Sequence, residues 1–289
     1  MKNIGIVGSN GFIGKQLGIG LKDQGHNIFR YNRENPIVGA NNSLVIPEGG
    51  LDAIVWAAAR VNPVTASIAD EVDLEYREWI NFLQLWNEHQ GGTVPLVYLS
   101  SGGCVYTDVA VPFTEESMAL GTNAYGQLKL RIEDSITQTK SCGTILRLSN
   151  VYGKGQMHGR GQGVIAEWKY KINNELKIPL IGSLESFRDY IHINDVTEAI
   201  SILLSTPNKQ GIYNLGSGVP TSLETLAEVF KKITRSTIEF EIHGKRSTDR
   251  NGYYLDISKI SSSLDWKPKI GLSDGILLTL SEEGEENTN

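Results

Sequence analysis

Ile4-Gly5-Ile6-Val7-Gly8-Ser9-Asn10-Gly11-Phe12-Ile13-Gly14, near the start of the chain, decides the fold class. Ile4 to Val7 reads as a short buried strand, and Lys15 to Lys22 has the apolar spacing of a helix. Between them lie glycines three residues apart. Gly8 lets the chain turn tightly, Gly11 lets backbone approach a pyrophosphate, and Gly14 lets helix pack on strand. A helix beginning there offers its unpaired N–H groups to that pyrophosphate. Strand, glycine turn and helix together predict a dinucleotide site built from Gly8, Asn10, Gly11, Phe12, Ile13 and Gly14.

Moving outward, Gly25 to Arg33 reads as the second strand and its exit. An acidic side chain at that exit would accept from the adenosine ribose and select NAD(H). Asn32 and Arg33 stand there instead, and a guanidinium pairs with a 2′-phosphate. The expected cofactor is therefore NADP(H), with NAD(H) as the alternative. Leu51 to Ala59 reads as a buried strand ending in Ala57-Ala58-Ala59, small enough for a dinucleotide to lie against backbone. Asp70 to Glu88 reads as a long helix carrying Asn81 on an apolar face, as a brace to a loop or a cofactor neighbour. Val94 to Ser101 reads as a strand, and Gly102 to Tyr106 as a flexible turn.

The following helix carries Tyr125 and Lys129, four residues apart and so on one face. A free phenol titrates near ~10 and is a poor proton shuttle at neutral pH. An ammonium fixed beside it stabilises the phenolate and makes the oxygen usable as acid or base.

The 289 residues suffice for one large and one small domain. A 40% hydrophobic and 21% charged composition is that of an ordinary globule. A net charge of −6 argues against nucleic acid as a partner. No apolar run is long enough to span a bilayer, so no membrane association is expected. Cys104 and Cys142 lie in apolar runs without metal-ligand spacing, and no metal is expected. Met1-Lys2-Asn3 leads straight into the first strand, which predicts a cytoplasmic protein. The acidic end, 281–289, reads as a disordered tail.

Gly8-x-x-Gly11-x-x-Gly14, Ala57-Ala58-Ala59, Asn81, Ser100-Ser101 and Tyr125-x-x-x-Lys129 occur in an order that resembles the extended short-chain dehydrogenase/reductases. More narrowly, it resembles their nucleotide-sugar epimerases, dehydratases and reductases. Arg147 to Gly153, Arg188 to Val196 and Tyr213 to Gly216 continue that resemblance. It implies an α/β Rossmann fold, a doubly wound parallel sheet over residues 1–153. Segments near 188–206 and 211–216 would return to that sheet, and an interleaved substrate domain would span 154–280. The resemblance also implies a homodimer through the helices carrying Asn81 and Tyr125. The substrate class it implies is a nucleotide-diphosphate sugar, with Arg188 and Arg246 on the diphosphate and Asn150 on diphosphate or sugar. Asp189 and Asp195 read as fold-stabilising residues of the helix N-cap kind rather than as acids in the chemistry.

Within such a site Tyr125 would shuttle the proton, while Lys129 would depress its pKa and bind the nicotinamide ribose. The relatives' third member, a Ser or Thr three residues before the Val of a Val-Tyr pair, is replaced here by Gly102. Ser101 is the adjacent hydroxyl and the expected substitute, with Ser100 or a water as alternatives. Gly102-Gly103-Cys104 lacks the Thr-Asp-Glu of the 4,6-dehydratases, which excludes dehydration. A Cys occupies the Cys104 position in GDP-fucose synthases, but their partner His, expected near Gly163, is missing. Two reactions remain. One is NADPH-dependent reduction of the C4 ketone of a 4-keto-6-deoxy sugar such as dTDP-4-dehydro-6-deoxyglucose, for bacterial surface polysaccharide, O-antigen or lipopolysaccharide precursors. The alternative is an NAD-retaining UDP-hexose 4-epimerase. A catalytically idle dinucleotide sensor is the reading from another class, and the intact Tyr125 and Lys129 argue against it.

Overall fold

The structure, a computed structural model, describes residues 1–90, 93–107, 110–139, 142–206, 208–244 and 251–281. In chain order the first half runs β1 (Asn3–Val7), α1 (Phe12–Asp23), β2 (Asn27–Tyr31), β3 (Ala53–Trp56) and α2 (Ala69–Gln90), then β4 (Leu96–Ser101), α3 (Gly102–Val105), α4 (Ala124–Gln138) and β5 (Gly143–Leu148). The second half runs β6 (Asn150–Tyr152), α5 (Val164–Asn173), β7 (Ile178–Ile181), β8 (Phe187–His192), α6 (Ile193–Ser205) and β9 (Gly211–Leu215). It ends with β10 (Pro220–Ser222), α7 (Leu223–Thr234), β11 (Phe240–His243), α8 (Ser258–Leu264) and α9 (Leu272–Ser281).

Near-continuous apolar runs such as Ile4–Val7 and Ile145–Leu148 make strands that must be covered on both faces. They form a six-stranded sheet in the order β2-β1-β3-β4-β5-β9, parallel at every pairing. One face buries Leu17 and Leu21 of α1 and Val196, Ala199 and Ile200 of α6. The other buries Trp79, Phe82 and Trp86 of α2 with Leu128 and Ile132 of α4. The fold is therefore a Rossmann-like α/β sheet with helices on both sides. Order 2-1-3 reverses between β1 and β3, and the crevice at that switch opens beyond their carboxyl ends.

The remaining strands pair among themselves, β10-β8-β6 in one small sheet and β11-β7 in another. Trp168 of α5, Leu226 and Phe230 of α7 and Ile276 of α9 build the core beneath them. The chain crosses between the two bodies repeatedly. β8 lies in the small sheet, the helix that follows packs against α1, and β9 returns to the edge of the large sheet.

Several elements differ from the sequence reading. The first helix starts at Phe12, so Gly14 lies inside its first turn rather than ahead of it. Gly102 to Val105 is a short helix, not a flexible turn. Its carbonyls are occupied: Val105 O accepts from Gly121 N at 2.9 Å and Cys104 O from Thr122 N at 2.8 Å. Arg188 is the second residue of β8. Neither Asp189 nor Asp195 is an N-cap. The carboxylate of Asp189 is fully buried and accepts from Ser217 N and Oγ, Gly218 N and Leu255 N. Asp195 accepts from Lys269 N and Ile270 N. Each therefore ties a distant segment to the core, because a short carboxylate can gather several backbone donors that a packed strand leaves over.

Candidate active site

Gly8 has φ +87°, a conformation open to glycine, and a Cβ there would sit 2.6 Å from the Ala58 backbone. This close pass brings Ala57-Ala58 beside the glycine loop, and Ala57 N donates to Val7 O at 2.8 Å. A Cβ on Gly14 would fall 2.3 Å from Gly8 O, so the loop closes onto the first turn of α1 only because residue 14 is glycine. Gly11 is the N-cap and brings no side-chain hydrogen bond, leaving first-turn N–H groups directed out of the loop. That cradle fits a dinucleotide pyrophosphate, with Asn10, Phe12 and Ile13 around it.

Beyond β2, the Asn32 side chain is committed locally. Its Oδ1 accepts from Glu34 N at 2.8 Å and Asn35 N at 2.9 Å, and its Nδ2 donates to Asn10 Oδ1 at 3.3 Å. Arg33 is exposed next to it. Asn81 Nδ2 donates to Asn42 Oδ1 at 2.7 Å, bracing α2 to the loop before β3.

Asn123 caps α4, its Oδ1 accepting from Gly126 N at 2.9 Å. A Cβ on Gly126 would lie 2.1 Å from Cys104 O. The glycine after Tyr125 thus lets α3 rest on the first turn of α4. Lys129, 2% exposed, has its Nζ 5.3 Å from the Tyr125 ring centroid and 4.9 Å from that of Tyr98, and donates to Leu99 O at 3.5 Å. The side chains meet as the spacing requires, but burial outweighs the lowering of Tyr125 expected from Lys129. Burial pushes the Tyr125 phenol up, with the nearby Cys104 and Glu75 pushing the same way. Burial pulls Lys129 down, opposed by Glu75, Glu133 and Cys104. In this state the phenol holds its proton.

The hydroxyls at the end of β4 diverge. Ser100 is buried and its Oγ donates to Glu133 Oε1 at 2.5 Å. Glu133 also receives Arg147, Nε at 3.2 and 3.1 Å and Nη2 at 2.6 Å. Arg147 lies 4.8 Å from the Tyr106 ring centroid, and Tyr106 Oη donates to Asn214 Oδ1 at 2.6 Å. Ser100 is therefore a member of a buried structural network, and its hydroxyl is turned into the core. Ser101 follows one residue later in extended backbone, φ −131°. Strand alternation puts it on the face of Val97 and Leu99, opposite the face of Tyr98 against which Lys129 lies. The geometry does not bring Ser101 together with Tyr125.

At the start of β6, Asn150 Nδ2 donates to Asp189 O at 3.0 Å and to Tyr253 Oη at 2.8 Å. Arg188 Cζ is 5.5 Å from the Tyr253 ring centroid, and Arg188 has no carboxylate partner among the described residues. Arg246 lies outside the described residues, as do 282–289 of the expected tail. Sequence reasoning missed Tyr253, Glu75, Glu133 and Arg147 as a group. Glu133 and Lys129 four residues apart on one helix were a signal for a shared buried face, whereas nothing local marked Tyr253.

Residues 4–216 match the model of the NAD dependent epimerase/dehydratase family. The chain is 32% identical over 240 residues to a dTDP-4-dehydro-6-deoxyglucose reductase of Escherichia coli, covering 80% of this chain and 75% of that protein. Among solved structures it superposes on a UDP-glucose 4-epimerase of Thermotoga maritima with UDP-glucose at TM-score 0.85 and 23% identity, covering 96% and 97% of the two chains. RMD from Pseudomonas aeruginosa complexed with NADPH matches at TM-score 0.82 and 23% identity, covering 97% and 98%.

Proposed function

The chain belongs to the NAD-dependent epimerase/dehydratase family, and on that premise we propose that it reduces the C4 ketone of a nucleotide-activated 4-keto-6-deoxy sugar with NADPH. The observation that carries this reading is Tyr125 beside buried Lys129, on the helix turn against which α3 rests and in the same chain as the dinucleotide cradle. Reduction consumes one hydride and one proton. When bound, the reduced nicotinamide supplies the hydride to C4. Tyr125 gives its proton to the C4 oxygen, and the ammonium of Lys129 stabilises the phenolate left behind. A phenol raised by burial starts this cycle in the protonated form the reductive direction needs.

The cofactor roles follow the cradle. Gly8, Asn10, Gly11, Phe12, Ile13 and Gly14 hold the pyrophosphate, Ala57 to Ala59 lie along the dinucleotide, and Arg33 takes the 2′-phosphate. Arg188, Asn150 and Arg246 are assigned to the nucleotide-diphosphate sugar. We place the reaction in the cytoplasm and the dimer contact on the α2–α4 face, where Tyr76, Ile80, Leu83, Arg131 and Ser135 line a groove of about 680 Å³.

A UDP-hexose 4-epimerase is the second reading, supported by 30% identity over 234 residues to a putative UDP-glucose 4-epimerase of Methanocaldococcus jannaschii. Incubation with NADPH and a 4-keto-6-deoxy nucleotide sugar, followed at the nicotinamide absorbance band, separates the two. Stoichiometric loss of NADPH is expected. Interconversion of UDP-glucose and UDP-galactose without added cofactor would instead establish the epimerase. Tyr125→Phe is expected to lower kcat by about 10²–10⁴-fold while leaving NADPH affinity intact. An unmutated protein that binds NADPH but turns over neither sugar class would favour the idle sensor.

A further inference from the structure

Polarising a C4 oxygen takes a second donor besides Tyr125, and the α3 turn carries no side chain to supply it at residues 102 and 103. A Cβ on Gly102 would lie 2.9 Å from both terminal carbons of Leu255 and 3.2 Å from Leu148 O, so aliphatic carbon already fills that volume. A Cβ on Gly103 would fall 2.3 Å from Tyr253 Oη and 2.8 Å from its Cζ. A phenolic oxygen therefore stands where the side chain of residue 103 would begin. The turn does have a hydroxyl, delivered from 150 residues away. We propose that the Tyr253 hydroxyl is the donor to the substrate C4 oxygen in this chain, a role that rests on the C4 chemistry proposed above.

The ring is held on several sides. It stacks on Phe113, centroids 6.1 Å apart at 10° between planes, and Tyr253 N donates to Phe187 O. Two residues on, Leu255 N is fixed by the buried Asp189 carboxylate at 3.2 Å. The oxygen accepts from Asn150 Nδ2 at 2.8 Å, which leaves its own hydrogen to be donated. Burial pushes this phenol up, against the opposing charge of Arg188, so it keeps that hydrogen through the neutral range. Tyr253 and Tyr125 flank the same short helix, which contacts the first through Gly103 and the first turn of α4 through Cys104. The nearby hydroxyls do not compete: Ser100 is spent on Glu133, and Ser101 lies on the opposite face of the strand.

Tyr253→Phe tests this, because it removes the oxygen and keeps the ring. With NADPH and the 4-keto sugar, kcat is expected to fall about 10²-fold, the size of losing one preorganised donor. The KM for the sugar and the affinity for NADPH should change less than about threefold, and the melting temperature should hold within about 2 °C. An unchanged kcat overturns the assignment while leaving the reductase reading intact. So does a loss that appears only in KM or in melting temperature, since that is what a structural tyrosine would give. Absence of turnover in the unmutated protein with both 4-keto sugars and UDP-hexoses overturns the reductase reading and this role together.

Discussion

Replacing Glu133 by alanine should cost this protein far more than any surface charge. Glu133 and Arg147 are 2% and 5% exposed, and the carboxylate receives three contacts from the guanidinium and one from Ser100 Oγ. Removing the acid strands a guanidinium that burial disfavours and that, among the described carboxylates, Glu133 alone hydrogen-bonds. An unpaired buried charge costs about 3–5 kcal/mol. At roughly 2–4 °C per kcal/mol for a chain of this size, the melting temperature should drop by about 6–20 °C. Calorimetry, or urea unfolding followed by tryptophan fluorescence, measures it. Two controls isolate the cause. Glu133→Leu combined with Arg147→Met should recover most of the loss, since an apolar pair of similar volume replaces the ions. Raising salt to 1 M should not reproduce the effect in the unmutated protein, because the pair is shielded from solvent. A loss below about 1 kcal/mol, or a double variant no better than the single one, would refute the reasoning.

Gly14→Ala places a Cβ 2.3 Å from Gly8 O, against backbone that cannot swing away. We expect at least about tenfold weaker dinucleotide binding with a stability loss of about 1–3 kcal/mol, read by cofactor fluorescence titration and thermal melting. Arg33→Ala should weaken NADPH about tenfold and leave NADH nearly unchanged, measured by paired titrations; equal effects on both would remove the 2′-phosphate assignment. His192 accepts from Asn194 N at the start of α6, and burial holds its pKa below the ordinary 6.5 despite Asp195. The unfolded chain therefore takes up the proton first, and stability must fall as pH drops through about 6.5. His26 is shifted in the same direction. Melting temperature followed from pH 7.5 to 5.5 should show this slope, and His192→Asn, which keeps an N-cap acceptor, should flatten it in part.

Local pattern alone determined the first strand, the glycine turn and the helix beyond it, because each depends on residues within one turn of each other. Tyr125 and Lys129 were legible for the same reason, since a helix fixes the relation of residues four apart. Even so, the sign of their electrostatics was not, because burial depends on everything packed above them. The length of α1 and the helical form of 102–105 also escaped, being set by close approaches of Gly14 to Gly8 and of Gly126 to Cys104. Tertiary structure alone decided what Ser100 does, by placing Glu133 and Arg147 behind it on neighbouring elements. It alone set Tyr253 against Gly103, by anchoring the segment around Leu255 on Asp189. Contacts between residues 150 positions apart leave no periodicity in a sequence, and they exist only once the large sheet and the two small ones have packed together.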